Sequence, residues 1–246
     1  VIQLNILTKK VGLYSSIYTG LVALMLIHTA RPHGRMMEPP NRSSLWRFWD
    51  TDPAIAPYKS IIEPNYGDNE LFCGGFQHQV NLDGKCGICG DAYDKERENE
   101  AGGKYGKGII VRQYQPGKRS VFEAKVDLTA HHLGFFEFRL CKWDNPTKPV
   151  TQDPVVRIQY FYSGSSYGDT QYFPEKPGST VTTYTIRLKL PPGLTCSQCV
   201  IQWRYHAGNS WGYDDDGNYC TGCGPQEEFY GCADVAVGTG PTLPPP

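Results

Sequence analysis

From residue 109 onward the chain is a series of strand-length patches. Segments 109–114, 121–128, 134–141, 155–161, 182–190, 199–205 and 229–237 either alternate apolar with polar residues or stay apolar for one strand's length. That is the pattern expected where successive side chains point to opposite faces of a sheet. Turn residues separate the segments, and no long amphipathic helix interrupts them. Seven strands joined in this way predict an all-β fold, an immunoglobulin/fibronectin-III-like β-sandwich. Segment 33–110 is different. Pro39-Pro40, Pro53, Pro57, Pro64 and the glycine pairs at 74–75 and 102–103 punctuate it, so it is expected to be a long, loop-rich decoration at one end of the sandwich.

The two ends of the chain read differently again. Lys9 and Lys10 precede a mostly apolar stretch from Val11 to Ile27, and small Ala30 follows. This is the layout of a secretory signal peptide over 1–32; its purely apolar part is shorter than the ~20 residues of a membrane span. The expected domain is then 33–237, secreted and extracellular, with no membrane contact once the signal is gone. Segment 238–246, rich in Pro and Thr, has nothing to bury and reads as the start of a linker.

The 246 residues suit one large all-β domain, and Gly 27, Pro 19, Tyr 16 and Phe 10 agree with short aromatic strands and many turns. The net charge is −1; without 1–32 there remain 21 basic and 25 acidic residues, a net −4. A nucleic-acid partner is excluded on that ground, since its phosphates call for clustered Lys and Arg. All nine cysteines (73, 86, 89, 141, 196, 199, 220, 223 and 232) lie downstream of the signal. An exported chain uses them for disulfides, whereas the three C-x-x-C pairs in a cytosolic protein would suggest zinc ribbons. The odd number leaves at least one thiol unpaired or paired between chains, and spacing does not say which.

The residue that carries chemistry is His33, just past the signal. If cleavage leaves it first, its amine and imidazole chelate one metal ion from a single residue. One further imidazole completes a T of three nitrogens, which suits Cu(II). His131-His132, just before segment 134–141, offers that imidazole. Asp214-Asp215-Asp216 beside Gly217 reads as a solvated turn, with a Ca2+ loop as the other reading. Asn41-Arg-Ser43 is a glycosylation sequon, too near His33 for a bulky glycan.

Several segments together resemble one family. They are His33-Gly-Arg, Pro39-Pro40-x-Arg42-Ser-Ser-x-Trp46-Arg, Cys73-Gly-Gly and Cys86-Gly-Ile-Cys-Gly-Asp91. Further along come His132-Leu-Gly-Phe-Phe-Glu-Phe-Arg-Leu-Cys141, Gly208-Asn-Ser-Trp-Gly212 and Gly224-Pro-Gln-Glu-Glu-Phe-Tyr-Gly-Cys-Ala-Asp-Val235. The order and content are similar to those of the lytic polysaccharide monooxygenases, specifically the animal group in auxiliary activity family fifteen. The resemblance implies one copper ion per chain, held by His33 and by His132 rather than His131. It implies Phe229 as the axial aromatic, with Tyr230 as runner-up. On a strand Glu227 shares a face with Phe229, so Glu227 is the candidate to hydrogen-bond the bound oxidant and exchange a proton.

The activity implied is oxidative cleavage of β-1,4-linked chains of insoluble polysaccharide, chitin before cellulose, with O2 or H2O2 and an external electron donor. The enzyme is expected to be a monomer. Tyr58, Tyr66 and Trp46 are candidates to stack on sugar rings, with Trp46 equally readable as core. The rival readings are a non-catalytic chitin-binding protein and a copper carrier on the same scaffold. One departure from the family pattern bears on His33: Pro32, a residue signal peptidase disfavours before a cut, immediately precedes it, and cleavage after Ala30 would leave Arg31-Pro32 in front of the chelate.

Overall fold

The computed structural model describes residues 33–117, 120–144, 155–157, 159–160, 170–175 and 182–238. The expected signal segment, and all of the expected tail except Gly238, lie outside them. Two sheets form the body. The first runs β1 (His33–Glu38), β3 (Val121–Ala130), β8 (Thr182–Lys189), β6 (Gln159–Tyr160). The second runs β2 (Arg112–Tyr114), β12 (Glu228–Val237), β9 (Cys196–His206), β4 (Phe135–Lys142), β5 (Val155–Arg157), with β7 (Gln171–Tyr172) also paired to β4. A separate ribbon joins β10 (Trp211–Tyr213) to β11 (Tyr219–Thr221). The all-β sandwich expected from the sequence is the fold.

Alternation explains the core. In β3, Phe122, Ala124, Val126 and Leu128 are buried while Glu123 and Lys125 face water. They pack across the sandwich with Phe136, Phe138, Leu140, Ile201, Trp203 and Tyr205 of the second sheet. Across that sheet Phe136 pairs with Tyr205, and Tyr205 with Phe229. The three rings therefore stand side by side on the inner face, none of them exposed. Phe136 and Tyr205 meet edge to face at 5.2 Å, and Tyr205 and Phe229 lie 6.0 Å apart, within the range of favourable aromatic pairs.

Three details differ from the sequence reading. His33–Glu38 is a strand, β1, although its Gly-Arg-Met-Met interior lacks the β-branched residues that mark strands; pairing with β3 decides it. Segment 109–114 yields only a short strand, with Ile109 and Val111 buried as core contacts ahead of it. The loop-rich segment does more than decorate one end: it lies over the outer face of the second sheet. Cys89 is bonded to Cys232, Gln202 Nε2 donates to the Ile88 carbonyl (2.6 Å), and Asn41 Oδ1 accepts the Cys232 N–H (3.3 Å). With both faces covered, all ten residues of β12 are buried.

The remaining disulfides are Cys73–Cys86, Cys196–Cys199 and Cys220–Cys223. Cys141 is the thiol left over. It is buried, and burial pushes its thiol pKa up, which keeps it protonated and unreactive.

The outer covering is fastened by a buried ion pair. Arg42 donates from Nε to Asp234 Oδ2 (2.7 Å) and from Nη2 to Oδ1 (2.6 Å), and from Nη1 to the Asn99 carbonyl (3.1 Å). Gln198 Nε2 also donates to Asp234 Oδ1 (2.8 Å). Removing one partner strands a buried charge, so Asp234→Ala is expected to cost roughly 3–5 kcal/mol in denaturant unfolding. The double variant Arg42→Met/Asp234→Leu should cost distinctly less, because no charge is then left unpaired.

Candidate metal centre

His33 opens β1 opposite Ala130 of β3. Its carbonyl accepts the Thr129 hydroxyl (3.1 Å), and the next residue, Gly34, donates its N–H to the Asn69 carbonyl (3.1 Å). The ring is held from two sides. Nε2 lies 3.2 Å from Glu70 Oε1, and the ring stands edge-on to Phe229 with centroids 6.5 Å apart.

His132 sits in the turn between β3 and β4, which the core pins in place. Its N–H donates to the Tyr205 hydroxyl (2.8 Å), and that hydroxyl donates to the Leu133 carbonyl (2.7 Å). Gly208 N–H donates to the His132 carbonyl (2.9 Å). The turn needs left-handed backbone at Leu133 and Gly134 (φ 56° and 75°), and a Cβ on Gly134 would lie 2.0 Å from the His206 carbonyl oxygen. Only glycine tolerates that approach. Burial pushes the Tyr205 phenol pKa far up, so the hydroxyl stays protonated and keeps both bonds.

The neighbouring histidines, which the residues alone left as alternatives, are in different situations. His131 Nδ1 accepts the Leu133 N–H (3.1 Å) and its Nε2 reaches the Pro174 carbonyl (3.0 Å). Both ring nitrogens are thus engaged, Nδ1 as the acceptor and Nε2 toward the Pro174 carbonyl. His132 Nδ1 lies 2.7 Å from the amide nitrogen Nδ2 of Asn209. The oxygen and nitrogen of an amide are interchangeable in shape. With the amide turned over, Oδ1 would instead accept a proton from Nδ1 and the lone pair would be on Nε2.

Phe229 is fully buried between the rings of His33, Tyr205 and Phe72, the last stacked 5.9 Å away. Glu227, half-buried, immediately precedes β12, and its carbonyl accepts the Ala207 N–H (2.9 Å). Tyr230, the runner-up axial residue, faces the other way and bonds Glu228. Tyr66 is exposed with its ring against Trp46, whereas Tyr58 packs partly buried on the core. Trp46 also leans on the core and donates Nε1–H to the Asn65 carbonyl (3.0 Å). The sequon's Asn41 is fully buried, so no glycan fits there.

Asp214 caps its own turn, accepting the N–H groups of Asp216 (3.0 Å) and Asn218 (2.7 Å). It lies near Cys220 and Cys223, but those sulfurs are bonded to each other and offer no thiolates. Sequence reasoning missed Glu70, Asn209 and Tyr205. Asn209 lay inside the Gly208-Asn-Ser-Trp-Gly212 segment without a role, and nothing in the local sequence marked Glu70.

A β-sandwich with two histidines at one end, each with one ring nitrogen against a polar side chain, is a scaffold for an imidazole-held metal ion. Metal-binding imidazoles characteristically have their other nitrogen held in this way, and this donor chemistry fits copper. The family model described as "Lytic polysaccharide mono-oxygenase, cellulose-degrading" matches residues 33–235. The AA15 lytic polysaccharide monooxygenase from Thermobia domestica, in its Cu(I) state, is 42% identical in sequence. It superposes with a TM-score of 0.72, covering 84% of this chain and 99% of that one. No curated protein matches the chain. The chain belongs to the lytic polysaccharide monooxygenases, in the AA15 group. It is therefore a copper-dependent enzyme of a family that acts on insoluble polysaccharide and draws electrons from an external donor.

Behind this end of the sheet, on its outer face, Glu228 bonds His206 Nδ1 (2.9 Å), Arg204 and the Tyr230 hydroxyl. Burial alone would raise its pKa; the hydrogen bonds from His206 and Arg204, with the Arg204 charge, outweigh that and hold it at about 2. The folded value lies below the ordinary ~4.3. Its stabilisation is therefore complete above that pH and is lost as pH falls toward 2. In urea titrations between pH 5 and pH 2, Glu228→Gln is expected to remove an acid-dependent loss on the order of a few kcal/mol from the native profile.

Proposed function

We propose that the mature protein is secreted, begins at His33, and holds one copper ion through the His33 amine, His33 Nδ1 and His132 Nε2. We take it to work as a monomer that cleaves β-1,4-linked polysaccharide, chitin in preference to cellulose. The observation that carries the reading is the pair of polar contacts that commit His33 Nε2 to Glu70 and His132 Nδ1 to Asn209. The preference for chitin rests on resemblance to the animal members, while the matching family model is described as cellulose-degrading.

Copper there supplies the chemistry by which O2 or H2O2 oxidises the C1 or C4 carbon of a glycosidic link. The chain's own residues do the rest. Glu70 holds the His33 ring by its outer nitrogen, and Asn209 fixes the tautomer of His132. Tyr205 and Gly208 hold the His132 turn against the core. Phe229 closes the inner side of the site and keeps water from it. Glu227, beside it, holds and exchanges a proton with the oxidant.

The amine decides whether the site exists. An α-amine has a pKa of about 7.7–8.0 and yields its proton to a metal near neutrality, which a peptide nitrogen does not. Protein beginning at His33 is expected to bind copper tightly. It should also release oxidised oligosaccharides from chitin, read by mass spectrometry with copper and ascorbate present, and less from cellulose. Protein beginning at Arg31 should bind copper weakly and release none; equal activity of both forms overturns the site.

The two adjacent histidines give a sharper check. In calorimetric copper titration His132→Ala should weaken binding by roughly 100-fold or more, and His131→Ala by about tenfold or less, in line with losing a ligand as against a supporting group. An equal or larger loss at His131 reverses the assignment.

A further inference from the structure

On the outer face of the second sheet the cover leaves a cavity of about 310 Å³. Its floor comes from neighbouring strands: Arg139 and Cys141 of β4 stand opposite Gln202 and Val200 of β9, with Tyr230 of β12 beside them. Its roof is the 83–88 loop, which contributes exposed Lys85 and half-buried Ile88. That loop is tied down at both ends, because Cys86 is bonded to Cys73 and Cys89 to Cys232. Between the two, the Gly87 N–H donates to the Asp91 carbonyl (2.8 Å) and the Ile88 N–H to Glu100 Oε1 (3.1 Å). The cavity is therefore formed before any ligand arrives, which limits the ordering that binding costs.

Two buried polar atoms of the floor residues have no partner among the described residues. Gln202, 8% exposed, gives Nε2 to the Ile88 carbonyl (2.6 Å) and leaves Oε1 an unused acceptor. Arg139 gives Nη2 to Glu137 Oε2 (3.0 Å) and leaves Nε an unused donor. Native structures rarely leave such atoms unmet. The two residues are cross-strand partners, so the spare acceptor and the spare donor belong to neighbouring side chains. One hydroxyl answers both, since its oxygen accepts from Nε–H while its hydrogen goes to Oε1. Val200, Cys141 and Ile88 make the adjoining wall apolar. Lys85 has no carboxylate partner among the described residues, and its Nζ lies 5.8 Å from the Tyr93 ring. The acid of the loop, Asp83, is exposed.

We infer that this cavity binds a small phenolic acid. Its hydroxyl stands between Gln202 Oε1 and Arg139 Nε, its ring lies against Val200, Cys141 and Ile88, and its carboxylate turns to Lys85. A flat ring brings apolar area with little freedom to lose and takes cations on its face. A carboxylate suits the free ammonium group of Lys85. The volume is at the lower end for small-molecule sites, which suits one ring with short substituents. The cavity lies on the opposite face of the sheet from Phe229 and Tyr205, so its occupant is separate from any polysaccharide at the metal end. Bound there, the ligand joins the 83–88 loop to the sheet beneath it.

The test is an NMR titration with 4-hydroxybenzoate and with benzoate, the same anion without the hydroxyl. The protein is loaded with copper and kept as Cu(I) without oxygen, so that no redox step intervenes. 4-Hydroxybenzoate is expected to shift the amide signals of 83–88, 139–141 and 200–202, to bind roughly tenfold or more tighter than benzoate, and to raise the Tm. Gln202→Leu should bring 4-hydroxybenzoate down to the affinity of benzoate while leaving benzoate unchanged. Lys85→Ala, at an exposed position that does not threaten the fold, should weaken both anions by roughly threefold or more. Equal affinity for the two acids overturns the site, as does an equal loss of both in Gln202→Leu. No binding at about 10 mM ligand, or shifts confined to the surroundings of His33 and His132, overturns it as well.

Discussion

The hydroxyl of Tyr205 is the point on which the proposed metal site depends. Its ring belongs to the core, in a row with Phe136 and Phe229 across the second sheet. Its oxygen takes the His132 N–H and gives a hydrogen bond to the Leu133 carbonyl. A turn with two successive residues at positive φ is intrinsically unfavourable for Leu133, and the buried bonds over-determine it. The position of a surface histidine is thereby set by the same packing that gives the sandwich its stability. Mobility in the core would be felt directly as a misplaced imidazole.

On the far side of that sheet the constraint is electrostatic. Arg204 bridges Glu137 and Glu228, and Arg42 meets Asp234, beneath a cover formed by the loop-rich segment. Charges so placed stabilise only while every partner stays in position. They make the cover and the sheet interdependent, which suits a domain whose chemistry sits on strand ends and turns. β12 needs both sides: its inner face supplies Phe229, and its outer face carries Glu228, Cys232 and Asp234.

The strands were legible because their alternation is strong: 121–128 and 182–190 each fall on an observed strand. β1 was not, because its identity comes from pairing with β3 rather than from its own residues. The wrap of 33–110 was illegible for a similar reason. Its contacts, Asn41 with Cys232 and Gln79 with Glu228, join residues about 150 or more positions apart, and local sequence does not encode such partners. In the proposed site, His33, His132 and Phe229 were candidates because their residue types announce chemistry or match a motif. Glu70 and Asn209 were not, since a carboxylate in a loop and an amide after a glycine are ordinary until the fold sets them against a ring nitrogen.

The proposed use of an amine as a ligand also explains where β1 lies. A residue in the middle of a strand has its nitrogen committed to the chain and to the ladder. A residue that begins a strand at the sheet's edge does not. Among the described residues β1 pairs only with β3, and its register shifts between His33 and Gly34, so His33 stands opposite Ala130, the last residue of β3, at the very end of the ladder. Edge strands are otherwise exposed to unwanted pairing. Here a short edge strand with a polar start brings a histidine beside Phe229 of the opposite sheet. Neither sheet alone carries both histidines' supports: Thr129 of the first holds the His33 carbonyl, and Tyr205 of the second holds His132. The proposed centre therefore assembles only when the two sheets have packed, which ties its metal affinity to the completed fold.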